Sequence, residues 1–137
     1  MLKKITYTIL LFICFTTLKA EVVKEILISG NQRVSDETIK VYGAIEINKD
    51  YKEVDLNKVL QNLNSTNFFE DIKISLEQNV LKINLVEYPV VSQLILIGEP
   101  SKKYAEQIKK LMGLKEKQSF IKSYLSKDIE LIKNLYS

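Results

Sequence analysis

Residues 69–88 read FEDIKISLEQNVLKINLVEY, and this stretch decides the fold. In its first half Ile72, Ile74 and Leu76 alternate with Asp71, Lys73, Ser75 and Glu77. In its second half Leu81, Ile83 and Leu85 alternate with Lys82 and Asn84. A period of two is what a strand with one buried and one wet face requires. Between the halves, Gln78-Asn79 puts Asn where a tight turn needs a positive φ, without the stronger Asn-Gly pair. The stretch therefore predicts a hairpin whose apolar face must be covered by something else.

The preceding residues supply that cover. Val22 to Ser29 is apolar and β-branched and is closed by Gly30-Asn31, which predicts a strand and a turn. Ser35 can cap a helix that carries Asp36 and Glu37 in its first turn, with Ile39, Tyr42 and Ile45 as its stripe and Gly43 near its end. Asp55 can cap a second helix, in which Leu56, Val59, Leu60 and Leu63 fall on one face. The order is β-α-α-β-β. Two antiparallel helices return the chain to the end from which it left, so the last strand runs parallel to the first and antiparallel to the middle one. Val80–Val86 is the more apolar hairpin strand and suits the centre, while Phe69–Glu77 suits an edge blunted by charge. The expected class is α+β: a three-stranded mixed sheet covered on one face by two helices.

After Pro89 the pattern restarts. Val90 to Gly98 matches Val22 to Gly30 at an offset of 68, and at an offset of 69 Ile39 pairs with Ile108, Tyr51 with Phe120, Leu56 with Leu125 and Leu63 with Ile132. Pro100-Ser101 can start one helix, and Ile121 to Tyr136 supplies the next. A repeat of this period predicts tandem modules. The expected units are 21–89, one whole module, and 90–137, a partial second copy (β-α-α only) that lacks its hairpin. The sequence thus reads as a fragment.

Charge and composition narrow the function classes. The net charge of +3 comes from Lys3, Lys4 and Lys19, because the remaining chain holds 17 basic and 17 acidic side chains. Nucleic-acid binding would need a basic surplus on the folded part, so no nucleic acid is expected as a partner. Residues 21–88 hold 8 basic and 12 acidic groups, and residues 89–137 hold 9 and 5. The chain has no His, and its one Cys is Cys14 in the leader. Disulfide frameworks, Cys/His zinc sites, Cys nucleophiles and Ser-His triads are thereby excluded from residues 21–137. No enzyme, metal or cofactor is expected.

Residues 1–20 have the parts of a secretory signal peptide: Lys3-Lys4, an apolar centre from Ile9 to Phe15, and Ala20 before the expected cleavage. The apolar run is well short of the roughly 20 residues that span a bilayer.

The exported start, the strand leading into Gly30-Asn31-Gln32-Arg33-Val34-Ser35, the helix opening at Asp55-Leu56, and Phe68-Phe69-Glu70-Asp71-Ile72 entering a strand together resemble a known family. They look like the first polypeptide-transport-associated (POTRA) domain of a BamA-like outer-membrane protein assembly factor. Ile47 to Tyr51 departs from the family, which tends to place a Gly in that turn. The resemblance implies a periplasmic scaffold at the face of the outer membrane, joined to a C-terminal barrel that is absent here. It implies unfolded outer-membrane proteins, a periplasmic chaperone and accessory assembly lipoproteins as partners. Two other POTRA-bearing classes compete. An inner-membrane-anchored division protein would keep residues 1–20 and would not show the repeat. A two-partner secretion transporter usually has a Pro-rich segment ahead of its modules, which is absent here.

Two candidate sites follow. The edge strand Glu70, Asp71, Ile72, Lys73, Ile74 and Ser75 offers unpaired backbone groups that an extended peptide could join whatever its sequence. The bland alternative is a solvated edge protected by Lys73. Tyr88, Pro89 and Val90 form an inter-module joint with almost no linker, where Pro fixes its own φ and restrains Tyr88; an ordinary strand terminator is the alternative. Glu70-Asp71 cannot act as a carboxylate pair, because neighbouring strand residues point to opposite faces. Tyr42, Tyr51 and Tyr104 read as packing residues rather than a stacking platform.

Overall fold

The computed structural model describes residues 21–137, so the expected leader and Cys14 lie outside the described residues. The hairpin forms as β4 (Phe69–Glu77) and β5 (Val80–Glu87). With β2 (Glu25–Ser29) they make a three-stranded sheet in the order β2-β5-β4. β5 runs parallel to β2, with Ile28 opposite Ile83, and antiparallel to β4, with Ile74 opposite Ile83. The most apolar strand therefore takes the centre, where Leu81 and Ile83 have no exposed surface. Two helices, α1 (Asp36–Gly43) and α2 (Glu53–Ser65), contribute Ile39, Val59 and Leu63 to the core that covers them. Leu27, Asn84 and Val86, in the opposite phase of their strands, are exposed. Trimming the central side chain by one methylene, Ile83→Val, is expected to cost about 1 kcal/mol, read as a lower urea midpoint with unchanged slope.

The turn carries more strain than its sequence announces. Both Gln78 (φ 52°) and Asn79 (φ 67°) adopt left-handed backbone. This is the twist-matched hairpin turn, here without glycine. Asn79 is held by contacts of its own. Its carbonyl accepts from Lys24 N at 2.8 Å, and its Nδ2 donates to Val22 O at 2.7 Å.

Before Pro89, two expectations need correction. Val22 to Ser29 is not one strand. It breaks at Val23-Lys24, so that β1 (Glu21–Val22) pairs antiparallel with β3 (Asp50–Tyr51) in a small second sheet, and β2 enters the main one. Val23 sits at the break with no exposed surface; one continuous strand could not pair with β3 and also join β2's register with β5. The start of α2 also differs. Lys52 is the N-cap, and Asp55, three residues on, accepts from Lys52 N at 3.1 Å. This is the carboxylate half of a capping box, since a lysine ammonium has no lone pair to return.

Beyond the joint, α3 (Lys102–Leu111) and α4 (Lys122–Leu135) form where expected, with Ser101 capping α3 by accepting from Tyr104 N. The strand expected over Val90 to Gly98 does not form a ladder. Only an isolated bridge between Val90 and Ser119 is present. A strand is defined by its neighbour, and no counterpart of β5 exists among the described residues beside 90–98. Leu94 N donates instead to Glu116 Oε1 at 2.9 Å.

The backbone nevertheless repeats itself across the joint. The pairing of Val22 with Asp50 recurs as Val90 with Ser119. The bond from Val23 N to Lys49 O (3.0 Å) recurs from Val91 N to Gln118 O (2.9 Å). The bond from Asn48 N to Val23 O (2.8 Å) recurs from Lys117 N to Val91 O (2.7 Å). Asn48 and Lys117 share a left-handed φ of 64° and 63°.

Candidate functional site

All six expected edge residues lie on β4, whose one ladder partner among the described residues is β5. They do not contribute equally. The register shifts between Phe69 and Asp71, so Glu70 falls in a bulge and drops out of the pairing. Asp71 and Lys73 point outward and pair at 3.5 Å, both exposed. Ile72, Ile74 and Leu76 point toward the helices yet stay half-buried, whereas their β5 partners Leu85, Ile83 and Leu81 are buried. The helical cover thus reaches fully over the sheet centre and partly over this edge. Alternate N–H and C=O groups of an edge strand point away from its partner. β2, the opposite edge, is shorter, at five residues against nine.

Next to the expected joint lies a carboxylate that organises the surrounding backbone. Glu87 Oε1 accepts from three successive backbone N–H groups: Gln32 at 2.9 Å, Arg33 at 2.9 Å and Val34 at 3.0 Å. Three amides converging on one oxygen make an anion nest, here filled by the chain's own carboxylate. Arg33 Nε lies 2.9 Å from Oε2 but off the N–H direction, so Oε2 is held by charge rather than by a hydrogen bond. Only 7% of the Glu87 side chain is exposed. Burial by itself would raise its pKa, but the three amides and the Arg33 guanidinium outweigh that and hold it below the ordinary 4.5. The signal was present in the alternation: Leu81, Ile83, Leu85 and Glu87 share one phase, so Glu87 occupies an inward position that demands partners.

The same contacts explain the Gly30 to Val34 run. Gly30 takes φ +85° against the backbone of Leu85. Asn31 Nδ2 donates to Val34 O and to Asp36 Oδ1, both at 2.8 Å, closing the loop onto the start of α1. Arg33 Nη2 then donates to Tyr88 O at 2.9 Å, inside the expected joint. Pro89 and Val90 continue from it: Phe120 N donates to Pro89 O at 2.7 Å, and Val90 bridges Ser119. A cleft of about 370 Å³ is lined by Arg33, Asn67 and Phe68 from before Pro89 and by Lys117, Gln118 and Tyr124 from after it.

After Pro89 another buried carboxylate does a similar job. Asp128 on α4, 3% exposed, accepts from Gly113 N at 2.6 Å and Leu114 N at 2.9 Å, fixing the turn after α3. The first unit places Val59 at the matching position of α2 and closes the matching turn with helix carbonyls, Ala44 N to Val41 O and Ile45 N to Lys40 O. Asp128→Asn turns one acceptor into a donor facing an N–H. It is expected to cost about 1–2 kcal/mol and to speed hydrogen exchange at the Gly113 and Leu114 amides. At the end of α4 the Tyr136 hydroxyl donates to Glu99, which pushes the phenol up to about 12.

Among the described residues no cluster of metal-ligating side chains occurs, and no helix is long and apolar enough to cross a membrane. No family model matches the chain. Two curated proteins do. The outer membrane protein assembly factor BamA of Neorickettsia risticii is 32% identical over 79 residues, which cover 58% of this chain and 11% of that protein. BamA of Neisseria meningitidis serogroup B is 23% identical over 117 residues, covering 83% and 15%. Among solved structures, the N-terminal domain of Omp85 from Thermosynechococcus elongatus superposes with a TM-score of 0.56 at 14% identity, over 84% of this chain and 50% of that one. POTRA1-2 of the periplasmic domain of Omp85 from Anabaena gives 0.53 at 16% identity, over 88% and 81%. The chain shares the fold of these POTRA domains, and its sequence is similar to that of the BamA proteins. The matched residues span 11% and 15% of the length of the two BamA proteins, so they correspond to a small part of either. Within this chain, the β2-β5-β4 order and the two helices on one face are the α+β arrangement expected from the sequence.

Proposed function

We propose that this chain is a POTRA region acting as a non-enzymatic periplasmic scaffold of an outer-membrane β-barrel assembly factor, and that β4 receives extended segments of unfolded outer-membrane proteins by strand addition. In this reading residues 1–20 are a signal peptide and residues 90–137 belong to a second POTRA module. A chaperone and accessory lipoproteins dock on other surfaces, and a barrel outside this chain holds the scaffold at the membrane. The recurrence of the Val22–Asp50 and Asn48–Val23 pairings at Val90–Ser119 and Lys117–Val91 supports the second module.

The observation that carries the edge reading is the half-burial of Ile72, Ile74 and Leu76 beside a backbone edge that has no ladder partner among the described residues. An added strand would satisfy outward N–H and C=O groups regardless of sequence, and its own inward side chains would extend the apolar face. Titration with a peptide of alternating apolar and polar residues is expected to shift the amides of Asp71 to Glu77. The same residues in scrambled order should shift them less. Perturbations confined to α1 and α2, with none at Asp71 to Ser75, would reject strand addition here.

A further inference from the structure

We propose that Glu87 and Arg33 form a clamp that fixes the orientation of the first unit relative to the second, so that the joint behaves as a rigid elbow and not as a linker. This inference is independent of what β4 binds.

The backbone of the joint is tied on both sides with no free residue between. On the first side, Tyr88 N donates to Phe68 O at 2.9 Å and Tyr88 O accepts from Arg33. On the second, Pro89 O accepts from Phe120 N, Val90 bridges Ser119, and Val91 N and O pair with Gln118 and Lys117. The pairing changes hands between Tyr88 and Pro89, so the units could turn only about the two torsions that flank this planar peptide, ψ of Tyr88 and φ of Pro89. Pro89 removes one torsion there by its ring and narrows Tyr88 to extended values. What remains is the tilt of the Tyr88 carbonyl, and Arg33 holds that carbonyl.

Arg33 is a long, half-exposed side chain that would not stay in one rotamer without a partner. Glu87 supplies it twice: Oε2 lies beside the guanidinium, and Oε1 anchors the loop from which Arg33 departs. The backbone amide and the side chain of Arg33 thus bind the same carboxylate, while its Nη2 remains to grip Tyr88. The arrangement works as a relay from strand end to loop to joint. Glu87 is accordingly a positioning residue.

The two oxygens allow a test that separates clamping from folding. In Glu87→Gln the amide oxygen can keep the three loop N–H groups, but the amide nitrogen faces Arg33 and cannot hold it. In Arg33→Ala the grip on Tyr88 is lost and the carboxylate keeps its nest. The measurement is the distance distribution between spin labels at Asn57→Cys on α2 and Lys127→Cys on α4, in the full chain with Cys14→Ser. The unsubstituted elbow is expected to give one narrow distribution. Both variants are expected to broaden it by about twofold or more while amide shifts of the first unit outside residues 30–34 stay in place. A broad distribution in the parent overturns the clamp, as does a narrow one in both variants. Broadening that appears only together with collapse of the first unit's amide dispersion also overturns it, since Glu87 would then be a folding residue alone.

Discussion

Gly30→Ala is expected to destabilise the fold of residues 21–89 by about 4 kcal/mol or more, a large share of the roughly 5–15 kcal/mol that holds an ordinary domain together. Two effects add. The backbone at Gly30 has φ +85°, where any β-carbon costs about 1–2 kcal/mol. A β-carbon here would also sit 1.9 Å from the carbonyl oxygen of Leu85. That atom belongs to the central strand and cannot move aside without disturbing the ladder that joins β5 to β2 and β4. Gly98 is the internal control. It stands at the matching place in the second unit with φ +96°, but nothing lies within 4 Å of its would-be β-carbon. Gly98→Ala is therefore expected to cost only the conformational share, about 1 kcal/mol. Thermal or urea unfolding of the two variants side by side measures the packing share as their difference. Equal effects would show that the approach of Leu85 is not what makes Gly30 necessary.

Glu87→Ala is expected to cost about 3 kcal/mol at neutral pH, as the sum of a lost buried acceptor and an unpaired Arg33. The value lies below that for Gly30→Ala because Gln32 and Arg33 are exposed and water can reach their freed N–H groups. The pH dependence has a definite sign. The folded pKa of Glu87 is lowered below 4.5, so its contribution is present above that pH and is lost as pH falls through the folded value. Urea midpoints of the parent should drop on going from neutral pH to about pH 3, and the Glu87→Gln chain, which cannot titrate there, should show a shallower drop. Parallel acid limbs in the two chains would contradict a depressed Glu87.

Much of the first unit was legible in its residues because its elements obey local rules. The alternation of Ile72–Leu76 and Leu81–Leu85 gave both strands, Ser35 gave the start of α1, and the surplus of apolar residues in Val80–Val86 gave the central strand. Where local rules misled, a longer-range contact was the reason. Val22 to Ser29 looks like one strand because its composition is uniform, but its break at Val23 depends on β3, whose two residues carry no strand pattern of their own. Asp55 looked like a cap because caps are recognised by side chain, whereas here Asp55 reaches back to Lys52 from three residues further on. For the candidate edge, the sequence located β4 and its charged outer face. It could not locate the bulge that removes Glu70, because pairing register belongs to two strands at once.

The sequence by itself determined the class, the hairpin and the helices, the restart of the pattern after Pro89 and the absence of His and of any Cys other than Cys14. All of these are carried by residue type and spacing along the chain. Only the tertiary structure decided why the Gly30 to Val34 run is needed. Gly30 must admit the Leu85 carbonyl, and the amides of Gln32 to Val34 must find Glu87, more than fifty positions away. Sequence spacing cannot express that meeting, because it arises from the parallel return of β5 beside β2, which brings the end of the hairpin to the loop that follows the first strand.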